Sequence, residues 1–151
     1  MLNIPAAAMK MKRSEKSQMG TQPHAVPLAR QVDEVLRKLK QVIGRGEYVY
    51  AIRSGLRTIS ANTVNVGIRT LGWDADTVTG YGFRARARTM IHETLGFSPD
   101  AIEVQLAHRV PDRLGSAFNR IQHLEKRKRM IQAWADYLGG LRADGNDSVF
   151  L

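Results

Sequence analysis

Two arginines stand where phosphate chemistry would want them. Arg84 and Arg88 lie four residues apart, the spacing that puts both side chains on one face of a helix. A guanidinium donates two parallel hydrogen bonds to a phosphate and never deprotonates. Lys10 and Lys12, in Met9-Lys10-Met11-Lys12, add ammonium groups that can act as proton donors, although such a run also reads as a solvated charge patch. His108, His123, Tyr81 and Tyr137 complete the set of groups with useful protons or nucleophilic atoms. Breaking a phosphodiester from a side chain needs three things. They are a nucleophile, cationic donors for the pentavalent transition state, and an acid for the departing oxygen. The chain is basic enough for such a substrate. Twenty-three Lys and Arg against fourteen Asp and Glu give a formal charge of +9, which favours phosphate backbones through attraction and counterion release.

The order of these residues carries more than their types. Tyr81-Gly82-Phe83-Arg84, Leu106-Ala107-His108, Ala117-Phe118-Asn119-Arg120 and Leu124-Glu125-Lys126-Arg127 together resemble the boxes of the phage integrase (tyrosine recombinase) family, in its prophage-borne branch. That branch carries His-Gly-Phe-Arg, then Leu-Ala-His or Leu-Ser-His, then the nucleophile in Ala-Tyr-Asn-Arg. The resemblance implies that Arg84 and His108 contact the scissile phosphate. It implies that Lys10, with Lys12 as a close competitor, is the hairpin lysine that protonates the leaving oxygen. It also implies that Tyr81 stands at the box histidine and Phe118 at the nucleophile. Phenylalanine keeps the ring and deletes the reactive oxygen. His123 takes the nucleophile position if the register slips, and Tyr137, in Ala133-Trp134-Ala135-Asp136-Tyr137, reads as structural. The family's first catalytic arginine is expected upstream of the hairpin, and no arginine precedes Arg13. The resemblance, over roughly residues 3–142, thus implies a truncated catalytic domain.

Other chemistry is narrowed by composition. Without cysteine there are neither disulfides nor thiolate metal ligands, and nothing in the residues calls for a metal or a cofactor. No apolar run approaches the ~20 residues of a membrane span, and the start Met1-Leu2-Asn3-Ile4-Pro5 does not read as a secretion signal. The expected location is cytoplasmic.

The elements that must position these groups are mostly helical. Asn3-Ile4 and Ala25-Val26 flank a polar, basic stretch, and the pattern predicts an antiparallel β-hairpin over about 3–28 with a long tip, closed by Pro27. Val32, Val35, Leu36, Leu39, Val42 and Ile43 recur at helical spacing up to Gly44. Tyr48-Val49-Tyr50-Ala51-Ile52 suits a short strand. Ser60 is the expected N-cap of a helix that buries Val64, Ile68 and Leu71 and ends at Gly72. Phe83, Ala87, Met90, Ile91 and Leu95 form a stripe ended by Gly96. Ser98-Pro99 opens another helix, with Ile102 and Leu106 inward, and Pro111 opens a short one near Leu114. Leu124, Ile131, Trp134, Leu138 and Leu141 line the last helix, which Gly139-Gly140 should weaken.

The expected fold is therefore mostly α with a small antiparallel β-hairpin at the N-terminus, tyrosine-recombinase-like, with a partial catalytic domain over 1–142 and a tail over 143–151. The expected function is DNA binding on Arg84, Arg88 and Lys12 by an inactive integrase-like protein, its partner double-stranded DNA, with no membrane. A chain starting at the hairpin would leave apolar side chains such as Val35, Leu39 or Ile68 exposed, which favours self-association. Two other readings stand beside it: a strand-breaking enzyme attacking through His123, and a basic interaction module without DNA chemistry.

Overall fold

A computed structural model describes residues 1–5, 8, 23–44, 48–50, 57–60, 62–108 and 116–143, the last stretch with side chains from His123 onward. Strands β1 (Leu2–Ile4) and β2 (His24–Val26) pair antiparallel, Leu2 opposite Val26 and Ile4 opposite His24. Five helices follow among the described residues: α1 (Arg30–Ile43), α2 (Thr63–Thr70), α3 (Gly80–Glu93), α4 (Pro99–Gln105) and α5 (Ser116–Ala143). The chain is mostly helical with a small N-terminal antiparallel hairpin, as its sequence pattern implies. Lys10, Lys12, Ala51-Ile52, the stretch around Pro111–Leu114 and residues 144–151 lie outside the described residues.

The core is built where α3, α4 and α5 meet. Ile91, Ala101, Ile102 and Met130 are buried there, and Ala87, Leu95, Phe97, Leu106, Ile131 and Trp134 pack around them. Ala87, Ile91, Leu95, Ile102, Leu106, Ile131 and Trp134 come from the expected apolar stripes, whereas Phe83, expected in the same stripe of α3, is exposed and the fully buried Met130 lay outside the expected stripe of α5. Pro99 sits in the first turn of α4 after Ser98, whose side chain makes no capping bond. Gly44, Gly72 and Gly96 all have positive φ and end their helices as expected, since only glycine enters that region without steric penalty.

The last helix runs through Gly139-Gly140 to Ala143; glycine costs about 1 kcal/mol in a helix, and the half-buried Leu138 and Leu141 lie on either side. On α2 two expectations need correction. The cap of α2 is Asn62, not Ser60, whose hydroxyl instead meets that of Thr63 at 2.9 Å. On this eight-residue helix only Ile68 is buried, while Val64 and Leu71 are exposed. Ile68 is accordingly not among the exposed apolar residues, whereas Val35 is. Of the strand expected over Tyr48–Ile52, Tyr48–Tyr50 is irregular with one sheet-like bond from the Ile59 amide to the Tyr50 carbonyl at 3.0 Å, and Ala51-Ile52 lie outside the described residues.

Polar contacts fasten the N-terminal elements to α5. Gln132 Oε1 accepts from the Arg30 amide at 3.0 Å, satisfying one of the orphan donors at the start of α1, and Gln31 Nε2 donates to Asp136 at 2.7 Å. Arg127 is buried, and its guanidinium donates through Nε to Gln105 Oε1 at 2.7 Å and through Nη2 to the Ala25 carbonyl at 2.5 Å. One side chain of α5 thereby ties the hairpin to the end of α4.

Candidate nucleic-acid interface

The cationic residues singled out in the second half of the sequence belong to α3 and to the turn that ends α4. The local sequence fixes where α3 begins. Thr79 Oγ1 accepts from the Gly82 amide at 3.0 Å, and Asn65 Oδ1 on α2 accepts from the Gly80 amide at 2.9 Å. The preceding loop is braced by Arg69, which donates to the carbonyls of Trp73, Asp74 and Val78. Asp74 closes a turn on Thr77, accepting from its hydroxyl and its amide, and both bonds hold the carboxyl below its usual pKa. Tyr81, in the first turn of α3, is 80% exposed.

One turn and two turns further along α3, Arg84 and Arg88 reach toward α4. Arg84 Nη2 donates to the Leu106 carbonyl at 3.3 Å. Arg88 holds Glu103 Oε1 through Nε at 2.7 Å and Nη2 at 2.6 Å. The other oxygen of that carboxylate, Oε2, lies 2.5 Å from His108 Nδ1. Hydrogen bonding from His108, and then from Arg88, holds the Glu103 carboxyl below the usual carboxylate range, so it is ionised at neutral pH. Arg84, Arg88 and His108 thus meet over the short span 103–108.

The turn that brings His108 back has an unusual backbone. Ala107 has φ +60°, the only non-glycine with positive φ among the described residues. The Ala107 amide donates to the Val104 carbonyl at 3.1 Å and the His108 amide to the Glu103 carbonyl at 2.8 Å. This paired closure is the standard way a helix ends on a left-handed residue. It reverses the chain, so a histidine five positions after Glu103 contacts that residue's side chain.

Glu103 is the residue that sequence reading missed. A carboxylate between Ile102 and Val104 looks like an ordinary solvated position, and the available signal was a Glu followed five residues later by a His across a helix end. Of the other predicted residues, Phe118 lies in the first turn of α5, its side chain outside the described residues. His123 is half-buried on α5, its Nδ1 enclosed and without a hydrogen bond. Among the described contacts none joins His123 or Tyr81 to the cluster on Glu103. No group of His, Asp and Glu among the described residues could hold a metal ion, and no helix among them is long and apolar enough to cross a membrane.

Comparison with known proteins gives a family-level match to phage and prophage integrases. The chain is 38% identical over 141 residues to the integrase of Enterobacteria phage P4, covering 89% of this chain and 32% of that protein. It is 32% identical over 146 residues to the prophage integrase IntZ of Escherichia coli (strain K12), covering 96% of this chain and 34% of the relative. Against the integrase of Shigella phage Sf6 it is 36% identical over 121 residues, 79% of this chain and 31% of the relative. The chain therefore spans about a third of the length of the curated relatives it matches. No family model matches the chain, and no solved structure matches it.

Proposed function

We propose that this chain is an integrase-like DNA-binding protein of site-specific recombination that binds duplex DNA without cutting it. The observation that carries the reading is the meeting of Arg84, Arg88 and His108 over residues 103–108. Three cationic or protonatable groups on one exposed edge match what a phosphate backbone requires, and the formal charge of +9 supplies the long-range attraction. Similarity to three integrases supports recombination as the setting. In this reading Arg84 and His108 contact the phosphate, Lys10 or Lys12 takes the role of the hairpin lysine, and Tyr81 and Phe118 occupy the box-histidine and nucleophile positions. Phe118 has no hydroxyl to attack phosphorus, and no described contact joins His123 to the cluster on Glu103. The exposed Val35 and Val42 on α1 support self-association as part of the same reading.

The test is duplex binding followed over a range of salt concentrations. Replacing Arg84 and Arg88 by alanine should weaken binding and reduce the slope of log affinity against log salt by about one to two units. Unchanged affinity in the double variant would rule out this edge as the DNA surface. A covalent protein–DNA adduct formed by the unaltered chain on a nicked substrate would overturn the inactive reading.

A further inference from the structure

Arg88 and His108, both bound to Glu103, are each anchored on one side only. Arg88 spends Nε and Nη2 on Oε1, leaving Nη1 unengaged by that carboxylate, and His108 spends Nδ1 on Oε2, leaving Nε2. Arg84 is tethered alongside through the Leu106 carbonyl. The Glu103 side chain is only 22% exposed while those of Arg88 and His108 are more than half exposed. The carboxylate is therefore the inner member of the cluster, and Arg88 and His108 are the outer ones. An ionised carboxylate can only accept, so Nδ1 must carry a proton in this contact.

We propose that Glu103 is a positioning residue for phosphate. Its carboxylate fixes His108 through Nδ1 and Arg88 through Nε and Nη2, so that His108 Nε2, donating as the second N–H of the imidazolium, and Arg88 Nη1 are presented together to one phosphate of the DNA backbone. The arrangement parallels the way an outer carboxylate orients a ligating histidine. The role rests on the DNA-binding reading above. It differs from a mere charge effect in sign. Removing a negative charge beside a phosphate site should strengthen binding by Coulomb's law, whereas losing a positioning group should weaken it.

Glu103→Gln separates the two. Glutamine keeps the shape and can still accept from Arg88 with its oxygen, but its amide nitrogen cannot accept from His108 Nδ1–H. Duplex binding at low salt, a melting curve, and imidazole nitrogen chemical shifts of His108 would be recorded for the full chain and for the variant. The expected result is an Nδ1–H signature in the parent that is lost in the variant. Duplex affinity should fall about two- to fivefold, the scale of an exposed charged contact, with no change in melting temperature. Stronger or equal binding by a folded variant would overturn the proposal. So would a His108 ring protonated at Nε2 and bare at Nδ1 in the unaltered chain, a measurement that holds even if Glu103→Gln fails to fold. Failure of the unaltered chain to bind duplex at all would sink the DNA-binding reading and the phosphate role with it, while the nitrogen shifts would still report whether Glu103 orients His108.

Discussion

Ala107 offers the sharpest test of how the cluster is built. Its φ of +60° places an L-residue in the left-handed region, where the Cβ approaches the following carbonyl oxygen at about 1–2 kcal/mol. Glycine removes that penalty but loses about 0.5–1 kcal/mol more conformational entropy on folding. The Ala107 side chain is exposed, so deleting its methyl gives up little packing. Ala107→Gly should therefore stabilise the chain by about 0.5–1 kcal/mol, which for a domain near 150 residues corresponds to about 1–4 °C in melting temperature. Ala107→Val should move the other way by about 1 kcal/mol or more, because a β-branched side chain is poorly tolerated at positive φ. Thermal and urea melts of the three proteins make the comparison. The turn closes through two amide bonds, from Ala107 to Val104 and from His108 to Glu103, which glycine preserves, so duplex affinity should be maintained in Ala107→Gly. A glycine variant less stable than the parent, or a valine variant equal to it, would show that residue 107 is not held left-handed and that His108 reaches its place by another route.

Two further outcomes follow from the junction at Arg127. Arg127→Ala should lower stability in urea by about 2–4 kcal/mol, because two hydrogen bonds from a charged donor are lost and the Ala25 carbonyl and Gln105 amide oxygen lose their partner in a part-buried site. Lysine should restore less than half of this, since one ammonium cannot reproduce the guanidinium fork. His24 beside it is pushed below its ordinary pKa of 6.5 by burial first and by the Arg127 charge second, with the Gln105 backbone acting in the opposite sense. A histidine whose folded pKa is depressed contributes stability above the unfolded value that is lost as pH falls toward the folded value. Melting temperature should drop between about pH 7.5 and pH 5 more steeply in the parent than in His24→Gln, and parallel curves would contradict the assignment.

The helical frame was legible because its signals are local. Gly44, Gly72 and Gly96 end helices through their own backbone freedom, Pro99 fits a first turn through its own ring, and the stripe through Ala87, Ile91 and Leu95 follows from helical geometry alone. What escaped depends on the partner. Val64 and Leu71 have the spacing of a buried face, yet on α2 only Ile68 is buried. Gly139-Gly140 reads as a weak point, and the helix runs through it to Ala143. Arg127 is visible in sequence as part of a basic run, Lys126-Arg127-Lys128-Arg129. Of these four only Arg127 is buried, a distinction set by where Ala25 and Gln105 come to lie. Glu103 escaped for the same reason, since its role appears only after the chain has reversed at Ala107.

The devices that hold the cationic edge have a common property. Glu103, the Leu106 carbonyl and the left-handed turn at Ala107 all belong to one segment, and Arg127 anchors the end of α4 next to them. The contacts that orient Arg84, Arg88 and His108 are thus supplied from residues 103–106, away in sequence from position 118. Affinity for a phosphate backbone depends on where those donors stand, and strand cleavage depends in addition on an oxygen nucleophile in line with the phosphorus. In the proposed reading a phenylalanine at 118 lacks the second requirement, while the described contacts that orient the donors come from residues 103–106. Binding and cutting are separable in that reading, and the chain is expected to keep salt-sensitive duplex binding while forming no phosphotyrosyl bond.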